Sequence, residues 1–210
     1  MVYFLTRVKV IRLSQIELRF LRGLYQNFSE ADYERIKEIE KVTNHDVNAV
    51  ARYIQERLQQ QSLTSSIEFV HFGLTSEDVN NIAFAFQIRG ALCTVLNHYH
   101  KLMQELKFLS HSSRDYPMLA HTHGQPASTT TVGWEINVFY ARLLKVFNEL
   151  NETHVEIKFG GATGGHNALY AAYPEIDWRS FSQNFVRHLS RFNDLWMGGA
   201  LPFHYNPYCT

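Results

Sequence analysis

Four polar residues in a row, Thr43-Asn44-His45-Asp46, stand just ahead of the apolar positions Val47, Val50, Ala51 and Ile54. Imidazole and carboxylate groups can bind ligands or move protons, and a helix start adds free N–H groups that attract anions. The plainer alternative is a helix cap, with Asp46 favoured near the positive end of the helix dipole. A second group is His71 followed by Thr75-Ser76 in "VHFGLTSEDVNN". Two adjacent hydroxyls at a helix start can grip a carboxylate or phosphate without adding charge. The alternative there is another capping box, Thr75–Asp78, with Asn80 and Asn81 on the solvated side. The third group is "HTHGQPA", which places His121 and His123 in an irregular loop before a long helix. A loop histidine beside a helix start can act as an acid or base near neutral pH, or can simply bond the loop backbone.

Other chemistry is thinly supported. No HExxH spacing or cysteine partner completes a metal site. The Gly-rich "GGATGGHN" lacks the Lys-Ser/Thr of a phosphate loop and the spacing of a dinucleotide fingerprint, so close backbone packing is its default reading. His98 and His100 lie two apart on a helix and face different directions.

The elements that must position these groups read as helical nearly throughout. Ser29–Asp32 forms a capping box, with Phe28 and Tyr33 at the positions of a hydrophobic staple. Thr43–Asp46 has the same form and leads into a helix to about Gln61. After Thr75–Asp78, apolar residues recur at helical spacing through Leu109, as one helix of about 35 residues or two broken near Gly90. "RDYPMLAHTHGQPASTT" reads as a loop, with Pro126 in the first turn of the next helix. That helix carries the stripe Val132, Ile136, Phe139, Tyr140, Leu143, Phe147 and Leu150. A last helix is expected from about Ile176 to Leu189, and the tail after it reads as unstructured. No strand alternates convincingly. Two long helices cannot bury such wide apolar faces on each other alone, so partner chains or further sequence are expected to cover them.

Hydrophobic residues make up 45% and charged residues 19%, a globular composition rather than a disordered one. Lys+Arg and Asp+Glu balance at 20 each, which argues against a nucleic-acid or membrane-surface partner. Cys93 and Cys209 fit no zinc or disulfide spacing, and Cys93 reads as a small core residue; a reducing, cytoplasmic compartment is expected. No stretch approaches 18 uncharged apolar residues, so no membrane span is expected, and the N-terminus is too interrupted by Arg and Lys for a signal peptide.

The order and wording of the motifs are more specific than any one of them. "TNHDV", "FVHFGLTSEDVNN", "THGQPA", a long helix and "GGATGGHNALYAAYPEIDW" together closely resemble adenylosuccinate lyases of the bacterial type, in the fumarase/aspartase superfamily. The resemblance runs from about Ser29 onward. It implies an all-α, fumarase/aspartase-like long-helix bundle, incomplete in this chain. Residues 1–75 would form an N-terminal helical domain incomplete at its start, and 76–210 part of the central bundle. The implied reaction is β-elimination of fumarate from adenylosuccinate and from the succinyl-carboxamide ribotide of purine synthesis, without a cofactor. By resemblance Asn44, His45 and Asp46 line the substrate site, Thr75 and Ser76 bind substrate polar groups, and His123 is the general acid. Gln125 and His71 match secondary positions. The family's Arg-Tyr pair for the phosphate and its Ser-Ser-x-Met-Pro-x-Lys-x-Asn loop, with the base serine, are absent from these 210 residues. The family assembles as homotetramers with sites built from three subunits. The chain is therefore expected to be inactive alone, or else to be a non-catalytic partner of full-length subunits.

Overall fold

A computed structural model describes residues 2–197 and 203–205, with side chains from Leu5 to Leu189. It is mostly helical, as the motif order implies. In chain order the elements are α1 (Val2–Arg7), α2 (Gln15–Gln26), α3 (Glu30–Thr43), α4 (Asp46–Gln60), a 3₁₀ turn (Thr64–Phe69), α5 (Ser76–Ser112), β1 (Pro117–Thr122), β2 (Gln125–Thr131), α6 (Val132–Asn151), β3 (Val155–Ile157), α7 (Asn167–Ala172), α8 (Trp178–Met197) and β4 (Phe203–Tyr205). The chain divides into two compact units. The first comprises Met1–Ala85, Glu156–Arg191 and Phe203–Thr210. The second comprises Phe86–Val155 and Phe192–Pro202.

Side-chain caps begin α2, α3 and α4 of the first unit. Ser14 and Glu17 bond reciprocally at the start of α2, a Ser-x-x-Glu box that the sequence reading passed over. Ser65 Oγ donates to Glu17 at 2.6 Å, and this bond is the main reason the buried carboxyl is held below its usual range. Ser29 and Asp32 form the expected box at α3. Asp32 also accepts from Tyr53 Oη on α4 at 2.5 Å. That bond leads in lowering Asp32 to about 2, while burial followed by the same bond raises Tyr53 to about 12. Ile39, Ala49 and Tyr53, with Ile36 and Ile54 against them, pack α3 on α4. Elsewhere in this unit Phe159 packs on Phe185, with ring centroids 4.6 Å apart, and Trp178 on Phe181 at 5.2 Å. Gly73 has to be glycine, because its φ is +67° and a Cβ there would lie 2.2 Å from Leu169 Cδ2.

In the second unit α5 continues unbroken past Gly90 to Ser112, which settles the choice between one helix and two. Tyr99 stacks on Phe147 of α6 at 5.6 Å and donates to Leu143 O at 3.1 Å. The end of α5 and the start of α6 touch through backbone: Gly133 N–H donates to Ser113 O, and Ser110 Oγ donates to Gly133 O. A Cβ on Gly133 would stand 2.3 Å from Ser110 O and 2.6 Å from Arg114 Cα. Gly133→Ala is therefore expected to cost about 1–3 kcal/mol, as overpacking does. A melting temperature equal to that of the parent would show that the two helices part freely.

Several expectations fail here. The segment before α6 is no loop but an antiparallel hairpin, Pro117↔Thr131 through Thr122↔Gln125, with an irregularity between Leu119 and His121. Pro126 sits in β2, not in a helix turn. The last helix begins at Trp178 and runs on to Met197, and Phe203–Tyr205 is a strand paired with β3. Cys93 is half-buried, and Cys209 lies outside the described residues. Among the described residues α5 is the helix long and apolar enough to cross a membrane by length and composition, contrary to the sequence reading; an apolar helix of a soluble bundle meets the same measure. The expected shortage of covering surface is visible. On α6 only Gly133 is buried, while Trp134 and Phe139 are 64% and 60% exposed.

Candidate functional site

Two helix starts meet in the first unit. α3 closes at Asn44, whose backbone turns left-handed at φ +50° and returns its N–H to Glu40 O at 2.8 Å. Asparagine suits that conformation better than most residues. The next residue, His45, is extended and caps α4: Asn48 N–H donates to its Nδ1 at 3.4 Å. The expected Thr43–Asp46 box is thus replaced. Thr43 ends α3 and donates to His45 O at 3.1 Å, and Asp46 is already helical, its Oδ1 accepting from Val47 N–H at 2.7 Å. A histidine does the work expected of threonine because the left-handed turn at Asn44 moves the cap position two residues on.

His45 Nε2 lies 3.0 Å from Ser76 Oγ, at the first residue of α5. Two of the sequence-nominated groups are thereby joined, across 31 residues of chain. Asp46 Oδ1 lies 3.1 Å from His45 Nδ1, and both side chains are open to water, 45% exposed for His45 and 64% for Asp46. Thr75 and Ser76 are half-buried.

Beneath Thr75 and Ser76 lies a support that the sequence reading missed. Asp78 is fully buried. Its Oδ2 accepts from Thr75 N–H at 3.0 Å and Gly161 N–H at 2.9 Å, and its Oδ1 accepts from Gly160 N–H at 3.1 Å. Lys158 Nζ completes the cradle 3.0 Å from Oδ1 and also donates to Gly161 O. Asn81, expected to face solvent, instead pairs both ways with the Lys158 backbone, at 3.0 Å each. Only half of the Thr75–Asp78 box is therefore local; the rest of the carboxylate holds the Gly-rich segment. Gly160 has a reason to be glycine, since a Cβ would come 2.8 Å from Gly164 O.

His166 is a second residue with no forewarning beyond its place in the Gly-rich run. It is buried in a left-handed conformation at φ +57°, its Nε2 2.7 Å from Ser182 Oγ on α8. Burial pushes its pKa below the ordinary value, against a hydrogen bond with the Phe159 backbone. Burial lowers His71 likewise. An unfolded chain takes a proton on these rings near pH 6.5, whereas the folded chain resists to lower pH. Between those points the unfolded state binds more protons, so stability falls as pH drops through that window. The melting temperature is expected to decline from about pH 7.5 to about pH 5.5, and less steeply in His166→Gln. A parallel decline in both proteins would assign the effect elsewhere.

His123 belongs to the second unit and is not grouped with His45 and Ser76. With Gly124 it forms the two-residue tip between Thr122 and Gln125, φ +51° and +72°. Two positive φ values are what such tight hairpins require, and histidine is among the residues that tolerate them. His121, His123 and Gln125 are all exposed. His123 does not adjoin a helix start, because the seven residues of β2 separate it from α6.

Comparison with known proteins bears on the family and the fold. A family model described as lyase matches residues 12–196. The adenylosuccinate lyase of Legionella pneumophila (strain Philadelphia 1) is 45% identical over 173 residues, covering 81% of this chain and 38% of that protein. Those of Haemophilus influenzae and Escherichia coli K12 are 43% and 40% identical over 194 residues, each covering 91% of this chain and 40% of the relative. The chain thus spans about two fifths of the length of these curated relatives. Among solved structures, a fumarate lyase from Mesorhizobium sp. BNC1 superposes with a TM-score of 0.61 at 18% identity, over 90% of this chain and 48% of that one. A β-carboxy-cis,cis-muconate cycloisomerase from Acinetobacter calcoaceticus sp. ADP1 gives 0.69 at 18% identity, over 87% and 41%. At that identity the likeness speaks to the fold.

Proposed function

We propose a function from one premise: the chain belongs to the lyase family, within the fumarase/aspartase superfamily. It carries substrate-facing segments of an adenylosuccinate lyase, the enzyme that eliminates fumarate from adenylosuccinate and from the succinyl-carboxamide ribotide. In that reaction a base removes a proton from the carbon beside a carboxylate, the carbanion is held as a dianionic carboxylate, and an acid protonates the departing nitrogen. Asn44, His45, Asp46, Thr75 and Ser76 bind the substrate, and His123 supplies the acid. The assembly is a homotetramer in the cytoplasm, and α5 is a bundle helix in it rather than a membrane span.

The observation that carries the reading is the 3.0 Å contact between His45 and Ser76, which makes one surface of the "TNHD" and "TSED" motifs. A surface of hydroxyls and N–H groups at a helix start is chemically suited to a carboxylate. The test is fumarate release, followed by absorbance, from the 210-residue chain alone and from the chain mixed with a segment carrying the Ser-Ser-x-Met-Pro-x-Lys-x-Asn loop. Turnover is expected only in the mixture. Release by the pure chain would refute its inactivity, and none in the mixture would remove the catalytic reading.

The exposed faces of α5 and α6 favour a second reading, a helical partner of full-length subunits. Leu102, Phe108, Leu109, Phe139 and Val146 are all exposed apolar residues of the second unit. Surfaces of this kind mark association sites. Size-exclusion chromatography with light scattering is expected to show self-association, and a well-behaved monomer would contradict it.

A further inference from the structure

We propose that the cleft between α2 and α4 is a binding site for a small phosphate monoester, separate from the surface formed by His45 and Ser76. The cleft has a volume of about 340 Å³, which is within the range of small-ligand pockets. Tyr53 and Arg57, on its α4 side, stand roughly 12–18 Å along the helix from His45, at 1.5 Å per residue. The proposal goes beyond the lyase reading and does not depend on it. Two guanidinium groups enter the cleft from different helices, Arg19 of α2 and Arg57 of α4. Neither has a carboxylate within ion-pair distance among the described residues, and the acids nearby show why. Glu56, beside Arg57 in sequence, is held by Arg35 through two bonds, at 3.1 and 2.9 Å. Asp32 lines the cleft, but its Oδ1 accepts from Tyr53 Oη and its Oδ2 from the Ser29 N–H and hydroxyl. Glu17 is held by Ser14 and Ser65.

Arg19 uses only its Nε within the chain, on the Gln15 carbonyl at 3.3 Å, which leaves its terminal N–H groups for a ligand. Arg57 lies over the Tyr53 ring, 6.0 Å from the centroid, and is half-buried, so its charge is less screened than that of a surface arginine. Planar forks of this kind match the oxygens of a phosphate in pairs. Two of them suit a dianion, whereas a lone carboxylate needs one. The remaining wall is apolar: Phe20 and Leu24 are half-buried, and Tyr53 is buried. A bare phosphate would leave that wall in water, so the fitting ligand carries its phosphate on a ring or other compact apolar body. The walls are fixed before it arrives. The 2.6 Å bond from Ser65 to Glu17 ties α2 to the 3₁₀ turn, and the 2.5 Å bond from Tyr53 to Asp32 ties α4 to the start of α3.

Isothermal titration calorimetry of phenyl phosphate into the 210-residue chain tests this. Binding is expected, with inorganic phosphate and benzoate each about tenfold weaker, because one lacks the apolar body and the other the dianion. Arg19→Gln and Arg57→Gln are each expected to weaken phenyl phosphate about tenfold. Ser76→Ala is expected to leave it unchanged. No binding by the parent, or parental affinity in both arginine variants, would overturn the site. Benzoate binding as tightly as phenyl phosphate would overturn the phosphate assignment. A loss of binding in Ser76→Ala would put the anion at the His45–Ser76 surface and overturn the proposal as well. Melting temperatures guard the comparison. If Arg57→Gln melts lower than the parent, Arg19→Gln decides by the same tenfold criterion, since the Arg19 side chain is exposed and its loss leaves the fold intact.

Discussion

Asp78→Asn is expected to lower stability by about 3–5 kcal/mol, because it leaves the Lys158 ammonium buried without its countercharge. For a chain of this size that is a fall in melting temperature of roughly 6–20 °C. The geometry explains why so small a change costs so much. The Asp78 side chain is 0% exposed and that of Lys158 is 8% exposed, so water cannot replace the lost charge. The new amide would also turn a donor toward N–H groups of Thr75, Gly160 or Gly161, all of which need acceptors. Lys158→Met should cost less, since those three N–H groups still satisfy the carboxylate. The double variant should recover part of the loss, as coupled neighbours do. Differential scanning calorimetry of the three proteins decides it. If Asp78→Asn melts within a degree or so of the parent, the cradle does not hold this unit together.

In the complemented enzyme, His123→Asn is expected to cut fumarate release by about 10²–10⁴-fold, the usual loss when a positioned general acid is removed. Asparagine is chosen for a structural reason. His123 and Gly124 occupy a two-residue hairpin tip with both φ values positive, and Asn-Gly is the favoured pair there. The substitution removes the ionisable ring and keeps the turn. Circular dichroism and the melting temperature should therefore match the parent while turnover collapses. Undiminished turnover would move the acid to another residue. Loss of the fold together with activity would mean that the ring matters to the hairpin rather than to the proton.

Much of the helical frame was legible because helix starts announce themselves locally. Ser29–Asp32 formed as read, and the spacing of α5 carried through Gly90, since the apolar stripe outweighs one glycine in a long helix. The hairpin was not legible. Its strands are exposed on both faces, so no alternation marks them, and its turn uses His-Gly instead of the common Asn-Gly. The cap of α4 was misplaced by two residues because a left-handed asparagine closes the preceding helix first. Two of the site motifs were visible as polar clusters at helix starts and the third as a pair of histidines in an apparent loop, while a common site for His45 and Ser76 was implied only by resemblance. The Asp78–Lys158 pair had no local signal at all. Eighty positions separate the partners, and each looks like an ordinary surface residue in its own neighbourhood.

The junction between α3 and α4 has a consequence for how this fold can vary in length. Only Asn44 and His45 join the two helices, and each is spent on finishing or starting one of them. There is no slack residue. One inserted residue would turn the following helix by about 100° about its axis, at 3.6 residues per turn, and carry the imidazole away from Ser76. Exposed connections are ordinarily where chains gain and lose residues most freely. Here an exposed connection is as intolerant of insertion as a core strand. Lineages of this fold should accumulate their length differences elsewhere, and a one-glycine insertion after Asn44 should abolish carboxylate binding at His45 and Ser76 while both helices still form.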